Sequence, residues 1–471
     1  MLPDPMTPRR PALARLRRLL FGRPRSVRDP RVFHTVSLIA FLAWVGLGAD
    51  GLSSSSYGPA EAFKTLGSHT YLAAALALAT AFTVLVIAAG YRRIIEHFPY
   101  GGGGYVVSSR LLGANVGVVS GAALIIDYVL TITISIAAGV DAVFSFLPAH
   151  WHSMKLAVEL FVIGVLVLLN LRGVRESVTL LMPIFVTFLV THAVLIVGAV
   201  VASASEIPIV AHELRSGFSN GLATLGFGGM LALFMRAYSM GGGTYTGIEA
   251  VSNGLTIMRE PKVETGKRTM ALMAVSLALT AGGITLGYLL LHVVPVEGKT
   301  MNAVLVERFA GAFEVAGLPV GHWFVLLTLI AEGLLLFVAA QTGFIDGPRV
   351  MANMATDSWL PHRFAQLSER LTMQNGVMLM GGASVLALLY TRGNVAHLVV
   401  MYSINVFVTF SLSQLAMCRY WWRLRKERAD WTRHIGIHLL AFVMCGSILV
   451  ITIYEKFEEG GWVTTLLTSV L

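Results

Sequence analysis

Long apolar runs alternate along this chain with short polar stretches that collect Arg and Lys, and the runs have the length that crosses a bilayer, about 20 residues. Read in order, they predict spans at Phe33–Leu66, Thr70–Tyr91, Val106–Leu147, Ser153–Leu171, Ser177–Ala204, Gly221–Thr256, Arg268–Val294, His322–Ala355, Gly376–Tyr390, Val395–Arg419 and His434–Tyr454. Those are eleven complete spans. A last apolar run begins at Gly461 and reaches Leu471 after about 11 residues, too few to cross hydrocarbon, so a truncated twelfth helix or a re-entrant piece is expected there.

The polar stretches set an orientation, because Lys and Arg resist translocation. With the N-terminus cytoplasmic, roughly 27 of the 35 basic residues fall on the cytoplasmic side. They run from the Arg9–Arg31 tail through Arg92, Arg93, Arg110, Arg172, Arg175, Arg259, Lys262, Arg349, Arg363 and Arg370 to the Arg419–Arg433 cluster. The opposite loops keep Lys155, Arg215, Lys299, Arg308, Arg392 and Lys456. A hydrophobic content of 55%, a charged content of 13% and a mean hydropathy of +0.72 exclude a soluble domain of 471 residues. The net charge of +9 follows from the positive-inside pattern and implies no nucleic-acid partner. Cys418 and Cys445 offer neither a disulfide framework nor a metal site. An enzyme is not indicated: no nucleophile with a base and no metal cluster is found, and Gly101–Gly104 lacks the strand and helix of a phosphate loop.

Two spans carry helix breakers at their middles. The first break is Asp50-Gly51-Leu52-Ser53-Ser54-Ser55-Ser56-Tyr57-Gly58-Pro59; the second is Tyr238-Ser239-Met240-Gly241-Gly242-Gly243-Thr244-Tyr245-Thr246-Gly247-Ile248-Glu249. They head the first and sixth spans, and an odd number of crossings inverts the second set of five relative to the first. The expectation is an all-α membrane protein with a five-plus-five inverted repeat and broken first and sixth helices. Residues 1–32 form a basic cytoplasmic tail, 33–204 and 205–420 the two repeats, and 421–471 a peripheral helix with the truncated final one.

Unwound turns near the midplane free carbonyl oxygens for solute and coupling ion. A single break could serve packing alone, as Gly and Ser do between membrane helices. An amino-acid carrier needs free amide donors at the first break, where the carboxylate of Asp50 would repel its substrate; a cation site needs oxygens, some anionic. Asp50, Ser53–Ser56, Tyr57, Thr244 and Thr246 supply that inventory, and Asp127 with Thr131 four residues on adds one face of the third span. Thr246 and Glu249 are expected on one face of the sixth span. A carboxylate inside a membrane is costly unless paired, wet or functional, and burial favours its neutral form, so one of Asp50, Asp127 and Glu249 is a candidate proton carrier. Arg236, a turn before the second break, could tune them by charge; Glu61, Asp141, His192 and Glu332 are expected near interfaces or satisfying one another.

These residues carry a resemblance. Phe98-Pro99-Tyr100-Gly101-Gly102-Gly103-Gly104-Tyr105 and Gly347-Pro348-Arg349-Val350-Met351-Ala352-Asn353-Met354-Ala355-Thr356-Asp357-Ser358-Trp359-Leu360-Pro361 look like signatures of the amino acid-polyamine-organocation (APC) superfamily, with its LeuT-like architecture. The first break and Lys456-Phe457-Glu458-Glu459-Gly460-Gly461-Trp462 are similar to the KimA-type potassium importers, which are proton-coupled. The resemblance implies K+ and H+ as transported ions with no cofactor. It also implies potassium ligation by Asp50, Tyr57, Asp127, Thr131, Thr246 and Tyr402, proton coupling through Glu249 with Asp127 second, and a multi-pass location in a prokaryotic plasma membrane. In that family a cytosolic domain after the twelfth span binds cyclic di-AMP and pairs subunits into homodimers; the chain is expected to stop before it. Two other readings stay open: a proton-coupled amino-acid or polyamine permease, against which no aromatic box is found near the breaks, and a non-transporting membrane sensor.

Overall fold

The computed structural model describes residues 38–99, 101, 103–173, 178–314, 317–457 and 461–470. The expected basic tail, Arg175, Tyr100 and Gly102 of the glycine loop, and Glu458–Gly460 of the late signature lie outside them. Among the described residues the regular structure is helical, apart from isolated bridge residues that include a parallel bridge between Leu38 and Met258. That bridge ties the entry of the first span to the exit of the sixth, with Leu38 donating to Ile257 O at 3.0 Å and Arg259 donating to Leu38 O at 3.0 Å.

The α-helices are α1 Ala40–Ser53, α2 Gly58–Leu66, α3 Ala73–His97, α4 Gly104–Leu112, α5 Ala114–Phe144, α6 Lys155–Arg172, α7 Val178–Ala202, α8 Ile207–Met240, α9 Ala250–Asn253 and α10 Lys262–Leu290. After these come α11 Met301–Ala310, α12 Val320–Thr356, α13 Gln374–Thr391, α14 Val395–Arg423, α15 Trp431–Lys456 and α16 Trp462–Val470. Nine helical segments among the described residues are long and apolar enough to cross a membrane. Two of the eleven expected spans are not among them, for different reasons. The first is divided between α1 and α2 by its break, so neither half is long enough. The other, α13, has only 18 residues and opens on Gln374-Asn375.

Boundaries moved where glycine sets the backbone. Gly113, at φ 115°, splits the expected third span into α4 and the long α5. Gly226, at φ 69° and ψ 169°, puts a kink inside α8, so that its first part runs from Ile207 as an extra helix leading into the sixth span. α11 is a further short helix, capped by the Thr300 side chain, which accepts from Ala303 N at 3.1 Å.

α5 is the axis of the bundle. It is buried along most of its length, packs most extensively on α12, and also contacts α14. Close approach of α5 and α12 depends on small residues: a Cβ on Gly139 would lie 3.2 Å from Gly333 O, and one on Gly333 would lie 3.1 Å from Gly139 O. In lipid, where no hydrophobic force drives helices together, such contacts supply the association. The outer helices present Leu78, Phe82, Phe161, Val201, Leu279, Leu386 and Val450 on their exposed faces, as a bilayer solvent requires.

Candidate solute site

α1 ends where its serines begin. Ser53, Ser54 and Ser55 fold their hydroxyls back onto the carbonyls three residues earlier, donating to Asp50 O at 2.7 Å, Gly51 O at 2.5 Å and Leu52 O at 2.7 Å. These side-chain bonds share the last carbonyls of α1 with the backbone and compete with the helical ladder, and the chain turns through Ser54–Ser56 before α2 starts at Gly58-Pro59. The hydroxyls that the sequence offers as cation oxygens are thus oriented by donation to the backbone, which leaves their oxygen lone pairs to accept. Three of the hydroxyls are engaged with backbone, and only Ser56 Oγ is buried without a partner.

The second break runs further than expected. α8 ends at Met240, Gly241–Tyr245 forms a tight turn, Thr246 is extended at φ −68° and ψ 160°, Gly247 sits at φ 72°, and α9 resumes only at Ala250. Thr246 and Glu249 thus do not share a helix face; a left-handed glycine between them sends their side chains to different neighbours. Gly247 is required twice over. A side chain would be strained at that φ, and its Cβ would fall 2.5 Å from Gly51 N and 2.9 Å from Asp50 Cγ. The two breaks meet here and at a second point, where the Ser54 hydroxyl lies 2.8 Å from Thr244 O and can donate to it in place of Gly51 O.

Around this meeting point the residues expected to hold a cation converge. Asp50, Tyr57, Asp127, Thr131, Thr246 and Tyr402 are all buried. The Tyr57 hydroxyl interacts with Thr246 and with Tyr402, and both Asp50 and Asp127 act on it electrostatically. Thr131 lies 2.9 Å from the Tyr402 hydroxyl and 2.9 Å from Asp127 O, its single hydrogen serving one of the two at a time. The spacing of Asp127 and Thr131 is thus realised as one face of α5. Several oxygens are left over: Asp127 Oδ1, Thr244 Oγ1 and Ser56 Oγ are buried with no hydrogen-bond partner. Orphaned acceptors beside two carboxylates, inside a bundle, are the chemistry of a site that desolvates a cation or binds an ammonium group.

Glu249 stands apart from that cup. Its Oε2 accepts from Tyr91 of α3 at 3.3 Å, Tyr128 also reaches it, and Oε1 has no partner. It remains within electrostatic range of Asp127 and Asp50. Arg236 does not face the site: it is 46% exposed and pairs with Glu455 of α15 at 3.3 Å, so the expectation that it tunes the carboxylates is corrected. Glu61 pairs with Lys64 at 2.8 Å and Asp141 with Lys155 at 2.6 Å, while His192 and Glu332 face each other at 3.8 Å. Behind the second break, Tyr238, Tyr245, Phe407, Phe410 and Tyr91 pack edge to face at ring separations of 5.5 to 6.3 Å, a wall of rings rather than an open cage.

One residue escaped the sequence reading. Asp346 is 1% exposed in α12, acts electrostatically on both Asp50 and Glu249, and is held by Arg349 at 3.0 Å. Its signal was its position: an acidic residue directly before Gly347-Pro348-Arg349, three residues from a cation on the same helix.

Two cavities flank the site. One, of about 180 Å³, is lined by Ser56, Tyr57, Glu61, Asp141, Lys155 and Glu332 among others. The other, of about 230 Å³, is lined by Gly101, Gly103, Tyr105, Asn253, Asp346 and Arg349 among others. Glu332 and Asp346, one in each lining, are separated by about 21 Å along α12 at 1.5 Å per residue.

Broken helices meeting inside a bundle, with buried polar groups between two cavities, define a membrane carrier. A family model described as amino acid permease matches residues 34–469. The chain belongs to that family, within the APC superfamily, and is therefore a multi-pass transporter with a LeuT-like fold and not an enzyme. It is similar to the potassium transporter KimA of Bacillus subtilis (strain 168), with 31% identity over 451 residues, which are 94% of this chain and 70% of that protein.

Proposed function

We propose that this protein imports potassium together with protons by alternating access. The observation that carries the reading is the convergence of Asp50 and Asp127 with the hydroxyls of Tyr57, Thr131, Thr246 and Tyr402 at the junction of two broken helices. An ion entering this cup exchanges water oxygens for carboxylate and hydroxyl oxygens, so the cost of dehydration is met by charges already buried. Glu249, held by Tyr91 beside the cup, is the proton carrier in this reading, with Asp127 second. The similarity to a protein named as a potassium transporter supports the choice of ion. The two broken helices, with the second and seventh spans, rock against the third, fourth, eighth and ninth of a five-plus-five inverted repeat whose N-terminus is cytoplasmic. The 180 Å³ cavity then opens outward and the 230 Å³ cavity inward.

The family description favours a second reading, a proton-coupled amino-acid or polyamine permease. The position of Asp50 speaks against an amino acid, whose carboxylate it would repel. Potassium-dependent growth of uptake-deficient cells expressing this protein separates the two. Rescue by the parent and its loss with Asp50→Asn and Glu249→Gln, all three equally expressed, is the expected result. No rescue, with radiolabelled amino acid or polyamine entering instead, would overturn the potassium reading.

A further inference from the structure

The solute site does not use one deeply buried acid and base of this bundle. His192 of α7 and Glu332 of α12 are each about 1% exposed. Around them stand Tyr288 of α10 and Asn302 of α11, also buried. Their hydrogen bonds run in one direction. Tyr288 donates to Asn302 Oδ1, and Asn302 Nδ2 donates to Glu332 Oε1 at 3.2 Å, which leaves Glu332 Oε2 turned toward His192 Nε2 at 3.8 Å. Neither of those two atoms has a hydrogen-bond partner.

The other face of the imidazole fixes its tautomer. Nδ1 lies 2.9 Å from the Phe188 carbonyl, which can only accept, so Nδ1 carries a hydrogen; the ring also stacks on Phe188 at 3.9 Å. With Nδ1 protonated, a neutral His192 presents a lone pair to a carboxylate oxygen. Two acceptors would then face each other at 3.8 Å. One added proton resolves the conflict, whether carried on Nε2 or on Oε2.

The neighbours do not supply this charge. Among the groups facing the pair or lining the cavity beside it, Tyr288 and Thr191 are hydroxyls. Glu61 is engaged by Lys64, Asp141 by Lys155, and Lys299 by Glu307. Glu332 also lines the 180 Å³ cavity, whose wall includes Tyr57 of the cup, so the pair has both an approach for protons and a shared wall with the solute site.

We propose that His192 and Glu332 form a proton-binding site distinct from Glu249, loaded through the 180 Å³ cavity, and that its occupancy couples proton movement to the solute cycle. The coupling half of this proposal rests on the proton-coupled reading above; the binding half does not. Reconstituted protein tests both. Histidine labelled with 15N reports binding directly: the His192 resonance, assigned by its loss in His192→Gln, moves with pH in the parent, and Glu332→Gln alters that profile. A His192 resonance that is indifferent to pH, or unchanged by Glu332→Gln, overturns the proton site whatever the solute proves to be.

For coupling, potassium–potassium exchange at equal pH is compared with uptake driven by a gradient of one pH unit, which supports up to about tenfold accumulation for one proton per ion. His192→Gln and Glu332→Gln are expected to lose that accumulation while exchange falls far less, and the swapped pair His192→Glu/Glu332→His is expected to recover part of it. Exchange and accumulation falling together, alongside lowered thermal stability and no recovery by the swap, would show a structural pair and overturn the coupling role. A parent that shows no gradient-driven potassium uptake refutes the proton-coupled reading, and with it the coupling half, while the resonance still decides the binding half.

Discussion

Replacing Gly247 by Ala puts the meeting of the two breaks to a severe test. At φ 72° a non-glycine residue is strained by about 1–2 kcal/mol. Its Cβ would also stand 2.5 Å from Gly51 N and 2.9 Å from Asp50 Cγ, and overpacking of that kind costs about 1–3 kcal/mol. Together the two effects sum to about 2–5 kcal/mol, so even the lower figure corresponds to about a 30-fold change in an equilibrium constant. The strain can emerge as a displaced Asp50, read as weaker potassium affinity in proteoliposome uptake, or as a loosened fold, read as a lower midpoint of thermal unfolding in detergent. Both are measured on the same preparation. Gly51→Ala is the control: its Cβ would meet Met273 Sδ at 3.4 Å and Thr246 O at 3.6 Å, ordinary contacts, within a helix that favours Ala over Gly. If Gly247→Ala matches Gly51→Ala in affinity, rate and unfolding midpoint, the close apposition of the breaks at Asp50 is wrong.

Further outcomes follow from other contacts. Thr131→Val and Tyr402→Phe remove opposite ends of one 2.9 Å contact, so a double-mutant cycle on potassium affinity should give a coupling of about 0.5–1.5 kcal/mol; additive losses would place the two hydroxyls apart. Arg349→Gln leaves buried Asp346 without its cation and should lower the unfolding midpoint more than Asp346→Asn/Arg349→Gln does, since the double change removes the stranded charge as well. Arg236→Ala breaks an exposed pair worth at most about 1 kcal/mol and should leave both uptake and its pH profile intact; a shifted profile would restore the arginine to the site.

The parts of this protein that were legible in its sequence are those written in local chemistry. Apolar length announced the spans, and breaker residues at Asp50–Pro59 and Tyr238–Glu249 announced where helices would open. Asp127 and Thr131 are neighbours because a helix makes them so. What stayed hidden depended on partners remote in sequence or on the backbone of one residue. Helical periodicity put Thr246 and Glu249 on one face, and the φ of Gly247 took them apart. The serine run reads as a set of oxygens, and its part in turning the backbone shows only once its hydroxyls are seen to donate to carbonyls three residues earlier. Arg236 was expected to be a tuning charge because sequence gives its distance from the break and not its heading, and the partner it meets is Glu455, more than two hundred residues later. His192 and Glu332 were expected near interfaces or satisfying one another, but which of the acids the histidine meets was hidden for the same reason.

Ser54 has one hydrogen and two carbonyls within reach, Gly51 O in its own helix and Thr244 O across the junction. In the rocking motion proposed above the two breaks part at this joint, and a carbonyl left bare there would lose a hydrogen bond. Here the hydroxyl can turn about a single bond and pass its hydrogen from the neighbouring helix to its own as the two breaks part. In that motion the hinge would exchange one bond for another within the same side chain, so its opening would leave no hydrogen bond unmade at Ser54.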